Sequence, residues 1–189
     1  MRRGSAKDVA RSDWEDAARG LFDFAVVTGR SGEDWRRDAR AVMILEGVDP
    51  RGWLQYNGAP SPDPSTWCDV TRPFLPPHLS SFDTDVFEVS RASAVQQIVV
   101  LQGEWFTVAT IPDFAERKEA LCAQAETVLS RFGPDAAFYT NSGAALDDPD
   151  VDFFTADTYY QCFSDFLFDC GVIAVSPDEV GVFWRFHVE

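Results

Sequence analysis

Apolar residues recur at Trp14, Ala17, Ala18, Leu21, Phe22 and Ala25, the spacing that gathers them on one face of a 3.6-residue helix. That stripe predicts a helix over about 13–27, ended by Gly29. Ser12 and Glu15 have the spacing of a capping box, in which each side chain satisfies the other's backbone N–H. A second stripe runs through Trp35, Ala39, Val42 and Met43, after a start signal at Ser31–Asp34 and before Gly47. It predicts another helix, with a strand at Ala41–Leu45 as the alternative. The longest stripe, Phe114, Leu121, Ala125, Val128, Leu129 and Phe132, predicts a helix over about 113–132. Pro112-Asp113 opens it, with Pro at its first turn, and Gly133-Pro134 stops it. Tyr159, Phe163, Phe166, Leu167 and Cys170 predict a fourth helix over Thr155–Asp169, closed by Gly171.

Elsewhere the apolar residues come in short runs bounded by turn residues, which is strand patterning. Val86–Val89 and Ala136–Tyr139 are two such runs. Gly103-Glu104 between Gln97–Gln102 and Trp105–Ile111 predicts a β-hairpin. Val172–Val175 and Val180–Phe186 predict a second, around Ser176–Glu179. Residues 47–82 are rich in Pro and Gly yet carry Trp53, Tyr56, Trp67, Phe74, Leu75 and Leu79. So many aromatics predict an ordered loop wrapped over the core, with a short strand near Trp53–Tyr56. The elements do not alternate as strict βαβ units. The expected fold is α+β: an antiparallel or mixed sheet, about four helices packed mainly on one face, and one domain over 1–189.

Composition agrees with a packed core, since 46% hydrophobic and 14% aromatic content is far from that of a disordered chain. Charge adds more. The net value is −15, and residues 57–189 hold six basic and 21 acidic side chains. Such a field repels nucleic-acid phosphate and anionic membrane, and it draws in basic protein surfaces. Two arginines open the chain, but Lys7, Asp8, Arg11 and Asp13 follow where a signal peptide needs an apolar run. No stretch has the length of a membrane span. Cys68, Cys122, Cys162 and Cys170 show no C-x-x-C spacing, so reduced, apolar cysteines in a cytoplasmic protein are expected.

Motifs for chemistry are sparse. Asp148, Asp150 and Asp152 have the alternate spacing of a calcium loop, but the later positions that require Gly and Glu hold Phe153 and Tyr159. Asp83 and Asp85 form a D-x-D, which two-carboxylate cation sites use and which also recurs by chance. Gly29-Arg30-Ser31-Gly32 falls one residue short of a nucleophile elbow. There is no phosphate-binding glycine loop. With only His78 and His187, a histidine-rich metal site is excluded. No cofactor is expected.

What stands out is the C-terminal third, where one helix and one hairpin would have to bury ten aromatics among carboxylates. Aromatics anchor protein interfaces and surrounding charge steers them. Asp147, Asp148, Asp150, Asp152, Phe153, Phe154 and Asp157 are therefore the expected contact residues for a basic protein partner. The function expected is a non-enzymatic acidic binding module, in the manner of an inhibitor or immunity-type protein that neutralises a toxin or nuclease. Two alternatives are a hydrolase using paired carboxylates or a divalent ion, and a nucleic-acid mimic.

Overall fold

The computed structural model describes residues 9–53, 55–57, 72–76, 78–157 and 159–187. Among these residues six strands form one antiparallel sheet in the order β2-β1-β6-β5-β4-β3: β1 (Phe24–Gly29), β2 (Tyr56–Asn57), β3 (Phe87–Val89), β4 (Ala137–Thr140), β5 (Phe168–Val175) and β6 (Glu179–His187). The helices are α1 (Arg11–Leu21), α2 (Trp35–Met43), α3 (Arg91–Val100) and α4 (Phe114–Ser130). The class is α+β.

Strands β5 and β6 are central and covered on both faces, which is why they read as unbroken apolar runs. Phe183, Val172 and Ala174 face a core shared with α1, α3 and α4. Val182, Trp184, Phe186 and Ile173 face the opposite core. That core holds α2, the chain through Phe74, Leu79 and Phe82, and Phe163 with Phe166. Three helices thus lie on one face and one on the other. The β5–β6 turn is tied by Ser176, whose hydroxyl accepts from the backbone N–H of Asp178 (3.3 Å) and Glu179 (2.9 Å).

Helices α2 and α4, strands β3 and β4 and the final hairpin fall where the patterning puts them. Asp34 caps α2 by accepting from the Arg36 N–H at 3.0 Å. Five expectations fail. The helix over about 13–27 ends at Leu21, and Phe24–Gly29 is strand β1. Its capping box is not formed either: Ala10 precedes the helix, and Glu15 instead pairs with Arg11 at 2.7 Å. The Gln97–Gln102 strand is helix α3, capped by the Ser90 hydroxyl on the Ser93 N–H. Buried between the sheet and α4, it carries Ile98, Val99 and Val100 on all sides, so no stripe betrays its period. Trp105–Ile111 is a pair of 3₁₀ turns and not the second arm of a hairpin.

Thr155–Asp169, read as a helix, holds no helix among its described residues: irregular chain, held by single bridges of Ser142 with Tyr160 and Phe74 with Ser164, leads into β5 at Phe168. Its aromatics serve different places. Phe163 and Phe166 enter the core, whereas Tyr159 and Tyr160 stay near the surface. In the long loop, Phe74, Leu79 and Phe82 do cover the sheet, and Tyr56–Asn57 is the short strand. Trp67, Cys68 and the prolines at 60, 62 and 64 lie outside the described residues.

Candidate functional site

The chain after α3 turns sharply at Gly103, where a Cβ would overlap the Thr107 carbonyl oxygen, so only glycine fits. The next turn places two consecutive aromatic residues in the left-handed region, Trp105 at φ 56° and Phe106 at φ 52°. Each L-residue held there costs roughly 1–2 kcal/mol. The Thr110 hydroxyl locks the turn by donating to the carbonyls of Glu104 and Thr107, at 2.8 and 2.9 Å. The result is a division of labour. Phe106 is buried in the core, while Trp105 points outward and stays 51% exposed.

Around Trp105 the chain gathers other aromatics. Its ring lies 5.4 Å from Phe168 and 4.6 Å from His187. Tyr160 meets Phe106 edge-on at 5.4 Å. Tyr159 and Tyr160 are aligned by backbone bonds to the segment after β4, from the Gly143 N–H to the Tyr159 carbonyl (2.8 Å) and from the Gln161 N–H to the Asn141 carbonyl (3.2 Å). A side chain at residue 143 would overlap the Tyr159 ring, so Gly143 is what lets that ring lie flat against the chain. Trp105, Tyr159, Tyr160 and Phe168 line a half-open cleft of about 350 Å³. Trp105 also lines a second cleft of about 290 Å³, together with Phe106, Thr107, Phe153, Phe154, Thr155, Ala156 and Asp157.

The residues expected to contact a partner are divided by the fold. Phe154 and Asp157 line the second cleft, with Phe154 5.4 Å from Phe114 and under the Lys118 ammonium at 4.5 Å. Phe153 is only 3% exposed, and its ring belongs to the core. Asp147 lies apart, beside the exposed Leu146 in a depression walled by Val86, Phe87 and Glu88. Asp148 and Asp152 are exposed but shape their own loop: they accept from the N–H groups of Asp150 (2.9 Å) and Phe154 (3.1 Å). That loop is strapped to α3 by the Ser93 hydroxyl on the Val151 carbonyl (2.9 Å) and by the Phe153 N–H on Gln96 Oε1 (2.9 Å). Trp105 was the residue the sequence hid, because it was placed in a hairpin strand. Its only signal was an aromatic directly after a Gly-Glu turn.

The other chemical candidates are accounted for by structure. Asp83 pairs with Arg40 at 2.7 Å and Arg36 at 3.8 Å. His78 Nε2 lies 2.8 Å from Asp165 Oδ1, an exposed pair. Ser31 of the would-be elbow donates to Asp38. Among the described residues no three His, Cys, Asp or Glu side chains are grouped as a metal ion would need. The buried Cys170 thiol accepts from Gln97 Nε2 at 3.4 Å, and burial pushes it well above its ordinary value. Burial likewise pushes Cys162 up to about 11. Both shifts run opposite to what a thiolate nucleophile requires.

The fold is thus a two-faced antiparallel sheet with an aromatic surface cleft at one end of its central hairpin. Comparison with protein-family models, curated proteins and solved structures found no match to this chain. Among the described residues no helix is long and apolar enough to cross a membrane.

Proposed function

We propose that the protein is a non-enzymatic, acidic binding module that docks a basic protein surface, in the manner of an inhibitor or immunity-type protein, with Trp105 as its anchor. One observation carries this reading: a tryptophan held half-exposed by two successive left-handed residues. Backbone strain of that kind persists only where surrounding structure enforces it, and it concentrates at ligand clamps. Tryptophan is among the side chains that most often dominate interface energetics.

Charge supports the sign of the partner. Glu104 precedes Trp105, Asp157 lines the adjoining cleft, and residues 147–189 hold ten acids against one base, Arg185. That base is occupied by Asp23 at 3.5 Å and Gln102 at 3.0 Å. Lys118 lies over the Phe154 ring.

The test uses two columns, one carrying the wild-type protein and one carrying the Trp105→Ala, Asp157→Lys double variant. Both receive native lysate at low salt and are eluted with a salt gradient. A single basic protein retained by the wild type, lost from the variant and released at moderate salt is the expected result. Equal retention on both columns removes Trp105 as the anchor and overturns the reading. A third column carrying Asp148→Lys, Asp150→Lys and Asp152→Lys measures whether the acidic loop steers the encounter; weaker retention is expected.

A further inference from the structure

We infer that the cleft lined by Trp105, Tyr159, Tyr160 and Phe168 is an aromatic cage for a weakly hydrated organic cation, a methylated ammonium or a guanidinium head group. The inference rests on the binding-module reading above and names the chemistry its anchor point would recognise.

The walls come first. All four described lining residues are aromatic, and none is basic. A ring face carries negative quadrupole density, and tryptophan gives the strongest attraction for a cation placed over it. Trp105 and Phe168 meet at 72°, so their faces are not stacked on each other and the cleft has a corner. Two separate devices hold this arrangement: the left-handed turn at Trp105, and the missing side chain at Gly143 beneath Tyr159. Tyr159 is 55% exposed, and the space left free at Gly143 is what lets its ring take this place.

The kind of cation follows from what the cleft lacks. Among the described residues no carboxylate lines it; Asp157 lines the neighbouring cleft, and Glu104 adjoins Trp105 in sequence. A primary ammonium is a compact, strongly hydrated charge that needs acceptors in exchange for its water. A quaternary ammonium needs none, and a guanidinium stacks flat on aromatic faces with weaker hydration. The acids nearby still favour positive charge over a neutral apolar group of the same shape, through the longer-range field.

The experiment follows the Trp105 indole N–H resonance of the full-length ¹⁵N-labelled protein, assigned with Trp105→Phe. Tetramethylammonium, methylguanidinium, methylammonium and the neutral isostere neopentyl alcohol are titrated separately at constant ionic strength. A saturable shift with tetramethylammonium or methylguanidinium, weaker with methylammonium and with the alcohol, is expected. The tighter of the first two identifies the source, a methylated side chain or an arginine. Tyr159→Ala should weaken that binding between roughly twofold and thirtyfold, and Tyr159→Phe should keep it. The remaining indole resonances report whether each variant stays folded. Equal response to the alcohol makes the cleft a plain apolar site, and no response to either soft cation removes the cage; both outcomes overturn the inference. Neither touches the binding-module reading, which stands or falls on Trp105-dependent, salt-sensitive capture.

Discussion

Arg131 grips Asp49 across 82 positions of sequence with two parallel hydrogen bonds, Nη1 to Oδ2 at 2.9 Å and Nη2 to Oδ1 at 2.7 Å. The same guanidinium donates to Glu179 at 3.2 and 2.8 Å and lies over the rings of Trp14 and Trp53, 4.9 and 4.7 Å from their centroids. Its side chain is wholly buried. The pair therefore joins the end of α4, the loop after α2 and the β5–β6 hairpin. Two carboxylates outweigh the burial that would favour the neutral form, and hold the guanidinium proton more tightly than usual.

Arg131→Met should cost about 3–5 kcal/mol, because it removes the guanidinium from buried Asp49 and leaves Glu179 with Arg51 alone. Arg51→Met provides the contrast. Arg51 also meets Glu179, at 3.0 Å, but is partly solvated, and its loss should cost about 1 kcal/mol or less. Urea denaturation midpoints of the two variants give the comparison. Equal losses would mean that burial at Arg131 contributes nothing beyond an ordinary surface pair.

Asp169 sets a pH dependence. Burial pushes its carboxyl above the ordinary value of 3.8, while Ser164 Oγ, Trp184 Nε1 and the N–H groups of Phe163 and Ser164 pull it part of the way back. The folded chain then keeps this proton to a higher pH than the unfolded chain does. Between the two values the folded state binds more protons, so the contribution of Asp169 falls as pH rises, and above the folded value the cost is complete and constant. Asp169→Asn does not titrate. The stability of the wild type relative to this variant should therefore be greatest near pH 4 and shrink as pH is raised, measured by urea midpoints. A difference that grows with pH would show that the hydrogen-bond donors outweigh burial.

How much of this was legible depends on where each residue's constraint lies. Amphipathic α2 and α4 announce themselves because one face is wet, and the β5–β6 hairpin does so through Ser176–Glu179. Helix α3 hides because it is surrounded, and Val99-Val100 then reads as strand. The spacing of Tyr159, Phe163 and Phe166 mimics a helix although Phe163 and Phe166 enter the core and Tyr159 lines the surface cleft. For the site, Phe154 and Asp157 were readable as aromatics beside acids. Trp105 was not, since its exposure comes from a backbone twist locked by Thr110, five residues away, and that is invisible in a hydropathy pattern.

Two glycines separate cleft from core. A Cβ at Gly143 would overlap the Tyr159 ring, which is exposed and can swing away. Gly143→Ala should therefore change stability by about 1 kcal/mol or less while dismantling the wall of the cleft. A Cβ at Gly171 would overlap the Phe183 carbonyl oxygen and the Trp184 ring in the central hairpin, where the backbone has no room to yield. Gly171→Ala should cost about 3 kcal/mol. Thermal unfolding gives the stabilities, and the Trp105 indole resonance reports the cleft. Loss of the cleft without loss of stability in Gly143→Ala is the outcome that ties Tyr159 to recognition and not to folding.

The strain at Trp105 yields an inverted glycine effect. At an ordinary position Gly is less stable than Ala by roughly 0.5–1 kcal/mol, because it has more freedom to lose on folding. At φ 56° the preference reverses, since alanine carries the left-handed cost of roughly 1–2 kcal/mol and glycine does not. Trp105→Gly and Trp105→Ala both lose the contacts with Phe168 and His187, so that loss cancels between them. Trp105→Gly should be the more stable of the two by about 1 kcal/mol in urea denaturation. Both should fail to retain the basic partner. If Trp105→Ala is the more stable, residue 105 is not held in a left-handed conformation in solution, and the device that presents the indole to a partner is absent.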